Sequence, residues 1–175
     1  LNEVTTNSGV ATALNATQAV AGGNLSLTIN DSTMNGTTTD GIVLDGVDGT
    51  VAVNDTTFTG GAGNGVRIVG GDGTFTFDED VEIVGKTGNS FQVNGGAGAI
   101  TYNGSITNNV GNSVRIENRT GGTVSFGPNS NIDDTGAGIV VANNTGGTHS
   151  FLGDTNLTTT INDAVTLTNN TGSTT

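Results

Sequence analysis

The stretch Gly63-Asn64-Gly65-Val66-Arg67-Ile68-Val69-Gly70-Gly71-Asp72-Gly73 decides how this chain is read. Two apolar side chains flank one polar side chain, and glycine-rich segments bracket the triplet. Alternation of that kind marks a strand with one buried face. Gly, Asn and Asp supply the backbone conformations that let a chain turn sharply. The pattern returns at Ile42-Val43-Leu44, Phe91-Gln92-Val93, Val114-Arg115-Ile116, Ile139-Val140-Val141 and Val165-Thr166-Leu167. Taken from the residue before each triplet, the steps are about 24, 25, 23, 25 and 26 residues, and a near-constant period of this size is the signature of a solenoid.

Two more apolar beats follow within each period. The second is Val51/Val53, then Phe75/Phe77, Ile100/Tyr102, Val124/Phe126 and His149/Phe151. The third is shorter: Met34, Phe58, Val81/Ile83, Ile106, Ile132 and Leu157. Three short strands per period predict an all-β, three-sided parallel β-helix of about seven coils. At the usual ~4.8 Å between paired strands, it would be a rod about 30–35 Å long. One β-solenoid segment is expected over 1–175, with an irregular first coil over 1–24 and regular coils over 25–175. Val10, Ala13, Leu14, Ala19 and Val20 supply apolar residues to that first coil, but the pattern does not fix its register. The last coil is read as stopping after its first strand, leaving Thr168 to Thr175 as a tail.

Composition narrows the function classes. The chain has 175 residues, 30 glycines, one proline and no cysteine, and 32% of it is hydrophobic. The apolar residues suffice because each coil adds a few inward side chains to one thin continuous column. A net charge of -12 with four Lys and Arg residues argues against nucleic acid, which needs clustered cations. It argues equally against anionic lipid. No apolar run approaches the ~18 residues of a membrane span. The chain begins Leu1-Asn2-Glu3, so a piece of a longer or processed protein is expected.

The residue two before each triplet forms a further column: Asp40, Asn64, Asn89, Asn112, Ala137 and Asp163. Stacked Asn side chains can hydrogen-bond along the axis, and a structural corner is expected here rather than a ligand ladder. The units Val114–Asp134 and Ile139–Asp154 share Thr-Gly-Gly-Thr-x-Ser-Phe at 120–126 and 145–151. Over roughly residues 25–175 the chain resembles bacterial right-handed parallel β-helix proteins. It resembles in particular the Gly/Asn/Thr-rich repeats of large secreted or cell-surface proteins, including adhesins and autotransporter passengers. That resemblance implies an extracellular or cell-surface location in a bacterium.

Four sets of residues are weighed for chemistry. His149, the sole histidine, falls at an inward position and has no second His or Cys to make a metal or catalytic site. Asp78-Glu79-Asp80 with Glu82 is the densest acidic run, but it lacks calcium-loop spacing and reads as a solvated turn. Arg67, Gln92 and Arg115 stand in the outward column Val43, Arg67, Gln92, Arg115, Val140, Thr166, and no accompanying carboxylate pair can be nominated for glycoside cleavage. The outward positions of the second strand give Ser26/Thr28, Thr50/Ala52, Thr74/Thr76, Ala99/Thr101, Thr123/Ser125 and Thr148/Ser150. This Thr/Ser ladder resembles the arrays of ice-binding solenoids, although Thr is also simply a good solvent-facing strand residue. No catalytic, cofactor-binding or metal residue is assigned, and no cofactor is expected. The expected role is a non-enzymatic structural or adhesive shaft. The alternatives are a carbohydrate-binding or carbohydrate-active β-helix and an ice-binding solenoid. Expected partners are further copies joined end to end, or continuation in a longer chain, together with a surface polysaccharide or neighbouring cell.

Overall fold

A computed structural model describes residues 1–18 and 24–175. Every regular element in it is a strand, and the strands make three seven-stranded parallel sheets wound into a solenoid of about six turns. Sheet one contains the quoted triplets: Leu14–Thr17, Ile42–Asp45, Val66–Val69, Phe91–Asn94, Val114–Glu117, Ile139–Ala142 and Val165–Thr168. Sheet two runs Ser26–Ile29, Thr50–Val53, Thr74–Phe77, Ala99–Tyr102, Thr120–Phe126, Gly146–Phe151 and Ser173–Thr174. Sheet three runs Thr5–Thr6, Ser32–Asn35, Thr56–Thr59, Glu82–Val84, Ser105–Asn108, Asn131–Asp134 and Asp154–Leu157.

The register in sheet one is the one the triplets predict, with Ile42, Val66, Phe91, Val114, Ile139 and Val165 paired in succession. The first coil, left open by the sequence pattern, is fixed by pairing of Leu14 with Ile42 and of Thr5 with Thr33. Val10 is exposed, and Ala13 and Leu14 pack against the core. Ala19 and Val20 lie outside the described residues. Two expectations are corrected. Leu157 pairs with Asp134, and Thr155 takes the place below Ile132, so the apolar column of sheet three ends one coil early. The tail also does not stop after sheet one, because Ser173–Thr174 pairs with Thr148 and His149 as a further strand of sheet two.

Side chains alternate in and out along each strand, and the inward files merge into a single core. Ile42, Val66, Phe91 and Val114 are each fully buried, as are Phe58, Phe77, Tyr102, Ile106, Phe126 and Ile132. Aromatic rings run along the axis: Phe77 meets Phe91 edge-on at 5.1 Å, Phe91 meets Tyr102 at 5.1 Å, and Phe126 stacks on Phe151 at 5.0 Å. The Tyr102 hydroxyl donates to the Ser105 carbonyl at 2.7 Å, which satisfies its one polar atom inside an apolar column.

Corners need glycine where one coil rests on the next. A Cβ on Gly63 would fall on the Thr39 carbonyl one coil away, and a Cβ on Gly111 on that of Gly88. At other corners a left-handed backbone is used, as at Asp31, Asp55, Asn118, Asn143 and Asn169, residue types that accept it more readily than others.

Candidate functional site

Sheet one carries the most varied outward chemistry. Register places Val43, Arg67, Gln92, Arg115, Val140 and Thr166 in one file. Its charges are already engaged. Arg115 donates through Nε to Glu117 at 3.0 Å, and its Nη2 lies 2.9 Å from the same carboxylate. Gln92 donates to the other Glu117 oxygen at 3.2 Å and accepts from Asn64 at 3.2 Å. Arg67 lies 3.9 Å from Asp40, a loose, solvent-screened pair of small energetic value. The patch is a polar network laid along the coils, and its carboxylates are occupied by neighbouring donors.

The corner beside it holds the expected Asn ladder over three coils. Asn64 donates from both backbone and side chain to Asp40 at 3.0 and 2.8 Å, and Asn89 does the same to Asn64 at 2.9 and 3.0 Å. Asn112 instead turns to the Ala137 carbonyl at 2.9 Å. From there the corner passes to Asp134, a fully buried carboxylate that accepts from the backbone and hydroxyl of Ser113 and from the backbones of Gly136 and Gly138. A second ladder joins Asn2, Asn30 and Asn54 at 2.7 and 2.8 Å. A third joins Asn144 to Asn170 at 2.8 Å.

Two buried cations were not singled out by the sequence. Arg119 is fully buried, and its guanidinium donates to the carbonyls of Gly95 at 2.7 Å, Gly98 at 2.5 Å and Gly121 at 3.1 Å. Lys86 is fully buried and reaches Thr37 Oγ1 at 3.3 Å. Burial lowers both pKa values, and Asp72 near Arg119 and Asp40 near Lys86 partly oppose the shift. The one available signal was position: each sits inside a corner, Lys86 after Gly85 and Arg119 after Asn118, rather than on an outward strand file.

His149 lies where it was expected, inward in the file of Val51, Phe75, Ile100 and Val124. It is fully buried, and neither ring nitrogen has a hydrogen-bond partner among the described residues. Burial lowers its pKa first, and the Arg119 charge lowers it further, so the ring is a neutral core side chain at pH 7.

The acidic run forms a corner rather than a cage. Asp78 accepts from the backbones of Asp55 and Asp80 at 3.3 and 3.2 Å, and Glu79 accepts from Asn129 at 3.1 Å. Among the described residues no group of three or more His, Cys, Asp or Glu is arranged to hold a metal ion. Asp55 has its pKa raised, through desolvation first and then repulsion from Asp80, Asp31 and Asp78.

Sheet two presents two parallel outward files, Ser26–Thr50–Thr74–Ala99–Thr123–Thr148 and Thr28–Ala52–Thr76–Thr101–Ser125–Ser150. Rows repeat at about 4.8 Å along the axis, and the files lie about 6.6 Å apart across it. None of the twelve side chains is charged, and Ser150 donates to Ser125 at 3.2 Å across one row.

At the C-terminal end the core itself meets solvent. Ile139, Phe151, Val165, Leu167 and Thr174 line a cavity of about 340 Å³, and Val165 and Leu167 are 51% and 57% exposed. Comparison with protein-family models, with curated proteins and with solved structures returned no match.

Proposed function

We propose that the chain is a non-enzymatic structural module, a rigid shaft segment of a bacterial extracellular or cell-surface protein. The observation that carries this reading is the uninterrupted core column, in which the same inward positions recur from Ile29 to Val141 with complete burial at nearly every coil. Each coil is bonded to two neighbours over three sheets, so bending the rod requires breaking backbone pairing on one side. Polar residues are used in coil-to-coil ladders and at the Arg119 and Asp134 corners, and this too supports a rigid segment. The high acidity favours solubility and keeps parallel rods apart.

The test is location and size of the natural polypeptide. Antibody against this segment should label intact cells, protease added outside should remove the label, and the labelled chain should be far larger than 17.3 kDa. Recovery in the soluble cytosolic fraction would overturn the surface role.

A second reading is favoured by the sheet-two files alone: an uncharged hydroxyl and methyl array in register over successive coils suits an ordered water surface. An ice-binding face would shape growing ice crystals and produce thermal hysteresis, and Thr76→Lys with Thr101→Lys would abolish both. The absence of any effect from the unmodified chain at high concentration would end that reading. Sugar binding has less support, since the Phe and Tyr rings that would stack on a sugar face the core.

A further inference from the structure

We propose that the corner after sheet one accepts N-linked sugar in its later coils, at Asn118, Asn143 and Asn169. Each opens an Asn-x-Thr triplet: Asn118-Arg119-Thr120, Asn143-Asn144-Thr145 and Asn169-Asn170-Thr171. Asn followed two residues later by Ser or Thr, with any residue but Pro between, is the acceptor motif for N-glycosylation, and it acts where it meets solvent. The proposal concerns a modification of the side chains and does not depend on the shaft role.

The backbone of the corner does not require this triplet. Amide bonds from Gly46 to Val69, Gly70 to Asn94, Gly95 to Glu117, Asn118 to Ala142 and Asn143 to Thr168 place the donors, with Asn169, in one file. All six are left-handed, with φ of 66°, 61° and 81° at the glycines and 58°, 57° and 54° at the asparagines. Glycine takes that conformation without a Cβ penalty, and the earlier coils use it. The later coils use Asn, which bears the penalty and adds a side chain. Two residues on, a second file runs from Asp72 and Ala97 to Thr120, Thr145 and Thr171, aligned by the amides of Ala97 on Gly71, Thr120 on Gly96, Thr145 on Arg119 and Thr171 on Asn144. Both positions of the acceptor motif therefore change together, half-way along the rod.

The geometry presents both recognised groups. Asn118, Asn143 and Asn169 are exposed, as are Thr120, Thr145 and Thr171. The middle residues Arg119 and Asn144 are buried and Asn170 is half-buried, so the centre of each triplet anchors it while its flanks face solvent. The three Thr hydroxyls reach carbonyls of the preceding coil only at 3.3, 3.3 and 3.4 Å, longer than a good hydroxyl bond. Asn143 Nδ2 donates to no described residue, while those of Asn118 and Asn169 each donate to a neighbouring Asn, at 3.0 and 3.2 Å. An amide carries two hydrogens, and a sugar replaces one of them, so these bonds survive modification. In the step itself Nδ2 bonds to the anomeric carbon of a sugar diphosphate, supplied with a glycosyltransferase by the cell. The bond from that carbon to the phosphate oxygen breaks, the nucleoside or lipid diphosphate leaves with the electron pair, and one amide proton passes to a base of the transferase. The same motif at Asn30-Asp31-Ser32 and Asn54-Asp55-Thr56 is closed: Ser32 and Thr56 are buried, and their hydroxyls donate to the Asn30 and Asn54 carbonyls at 2.8 Å.

The test uses the natural polypeptide, isolated by antibody from the cells that make it, and maps sugar by peptide mass spectrometry after denaturation and digestion. Sugar should be found on one or more of Asn118, Asn143 and Asn169, with Asn30 and Asn54 of the same molecules bare. The attached mass separates the donors: a single sugar indicates a nucleoside diphosphate donor, and a preassembled oligosaccharide indicates a lipid-linked one. At each occupied position, replacing the following Thr should then decide recognition. Thr145→Val should remove sugar from Asn143 and Thr145→Ser should keep it, and the same holds for Thr120 with Asn118 and Thr171 with Asn169. Asn143→Gly should remove the acceptor and leave the melting temperature close to that of the unaltered chain, because glycine holds this corner in the earlier coils. Three bare asparagines in the natural polypeptide would overturn the proposal whether or not any variant folds. Equal occupancy at Asn30 and Asn54, or sugar at Asn143 that survives Thr145→Val, would also overturn it. A surface-labelled chain without sugar would leave the shaft reading standing and end this one.

Discussion

At the residue scale, what the sequence discloses is the side of the strand, and what it hides is the corner. Ile116 and Phe126 are fully buried on alternating strands, and truncating either to Ala should cost about 2–5 kcal/mol in urea denaturation. Arg67→Ala and Arg115→Ala, which remove half-exposed pairs, should each cost under about 1 kcal/mol. A larger loss at the arginines would reverse the assignment of faces. These positions were legible because alternation is strict there. Arg119 was not, because nothing in Asn118-Arg119-Thr120 announces that the side chain folds inward to three glycine carbonyls that only the stacked coil brings together. Arg119→Lys should still destabilise, by about 1–3 kcal/mol for each buried carbonyl left without a donor, since an ammonium cannot present the guanidinium fork. Wild-type stability from Arg119→Lys would show that those bonds do not matter. His149 gives a pH signature. Its pKa in the folded chain lies below the ordinary 6.5, so the unfolded chain binds more protons and stability falls as pH drops below about 6.5. Asp55, with a raised pKa, acts in the opposite direction nearer pH 4, where stability falls as pH rises. Comparing His149→Val with the unaltered chain isolates the histidine: the variant should melt higher and lose less Tm between pH 7.5 and 5.5. Equal slopes would mean that the ring titrates normally.

At the element scale, coil stacking is fixed at the corners as much as in the core. Asn64 links Asp40, Asn89 and Gln92 in three successive coils, so Asn64→Ala removes several bonds at once and should cost about 1–3 kcal/mol. Gly63→Ala should be worse, because its Cβ collides with the Thr39 backbone and neither coil can move without breaking the sheets on both sides. Thermal melts of the two variants would check that order, and a neutral Gly63→Ala would mean that the corner is looser than described. The strands of sheets one and two were readable from period and alternation. Sheet three was less so. There the inward file is interrupted by buried Asn108 and Asp134, aligned in register, and by Thr155. A polar residue in an inward position looks like a turn in sequence, and the register below Ile132 could be seen only once Leu157 was found opposite Asp134. Arg67, Gln92 and Arg115 do share one file, yet Glu117 binds two of them from the neighbouring file, which spacing alone did not suggest.

At the scale of the whole molecule, one period governs successive coils, so each coil advances the rod by the same strand spacing. The chain contains no cysteine, so two introduced cysteines can carry spin labels without background. Outward positions on sheet two suit this, because labels there leave the core untouched. Thr76→Cys with Ser125→Cys lies two coils apart, and Thr28→Cys with Ser150→Cys lies five coils apart in the same file. Backbone separations of about 10 Å and about 24 Å follow from a 4.8 Å rise. Pulsed dipolar spectroscopy on the five-coil pair, diluted with unlabelled chain to suppress contacts between copies, should give a single narrow distribution centred near 24 Å. A broad distribution, or one centred far from that distance, would contradict a continuous in-register solenoid.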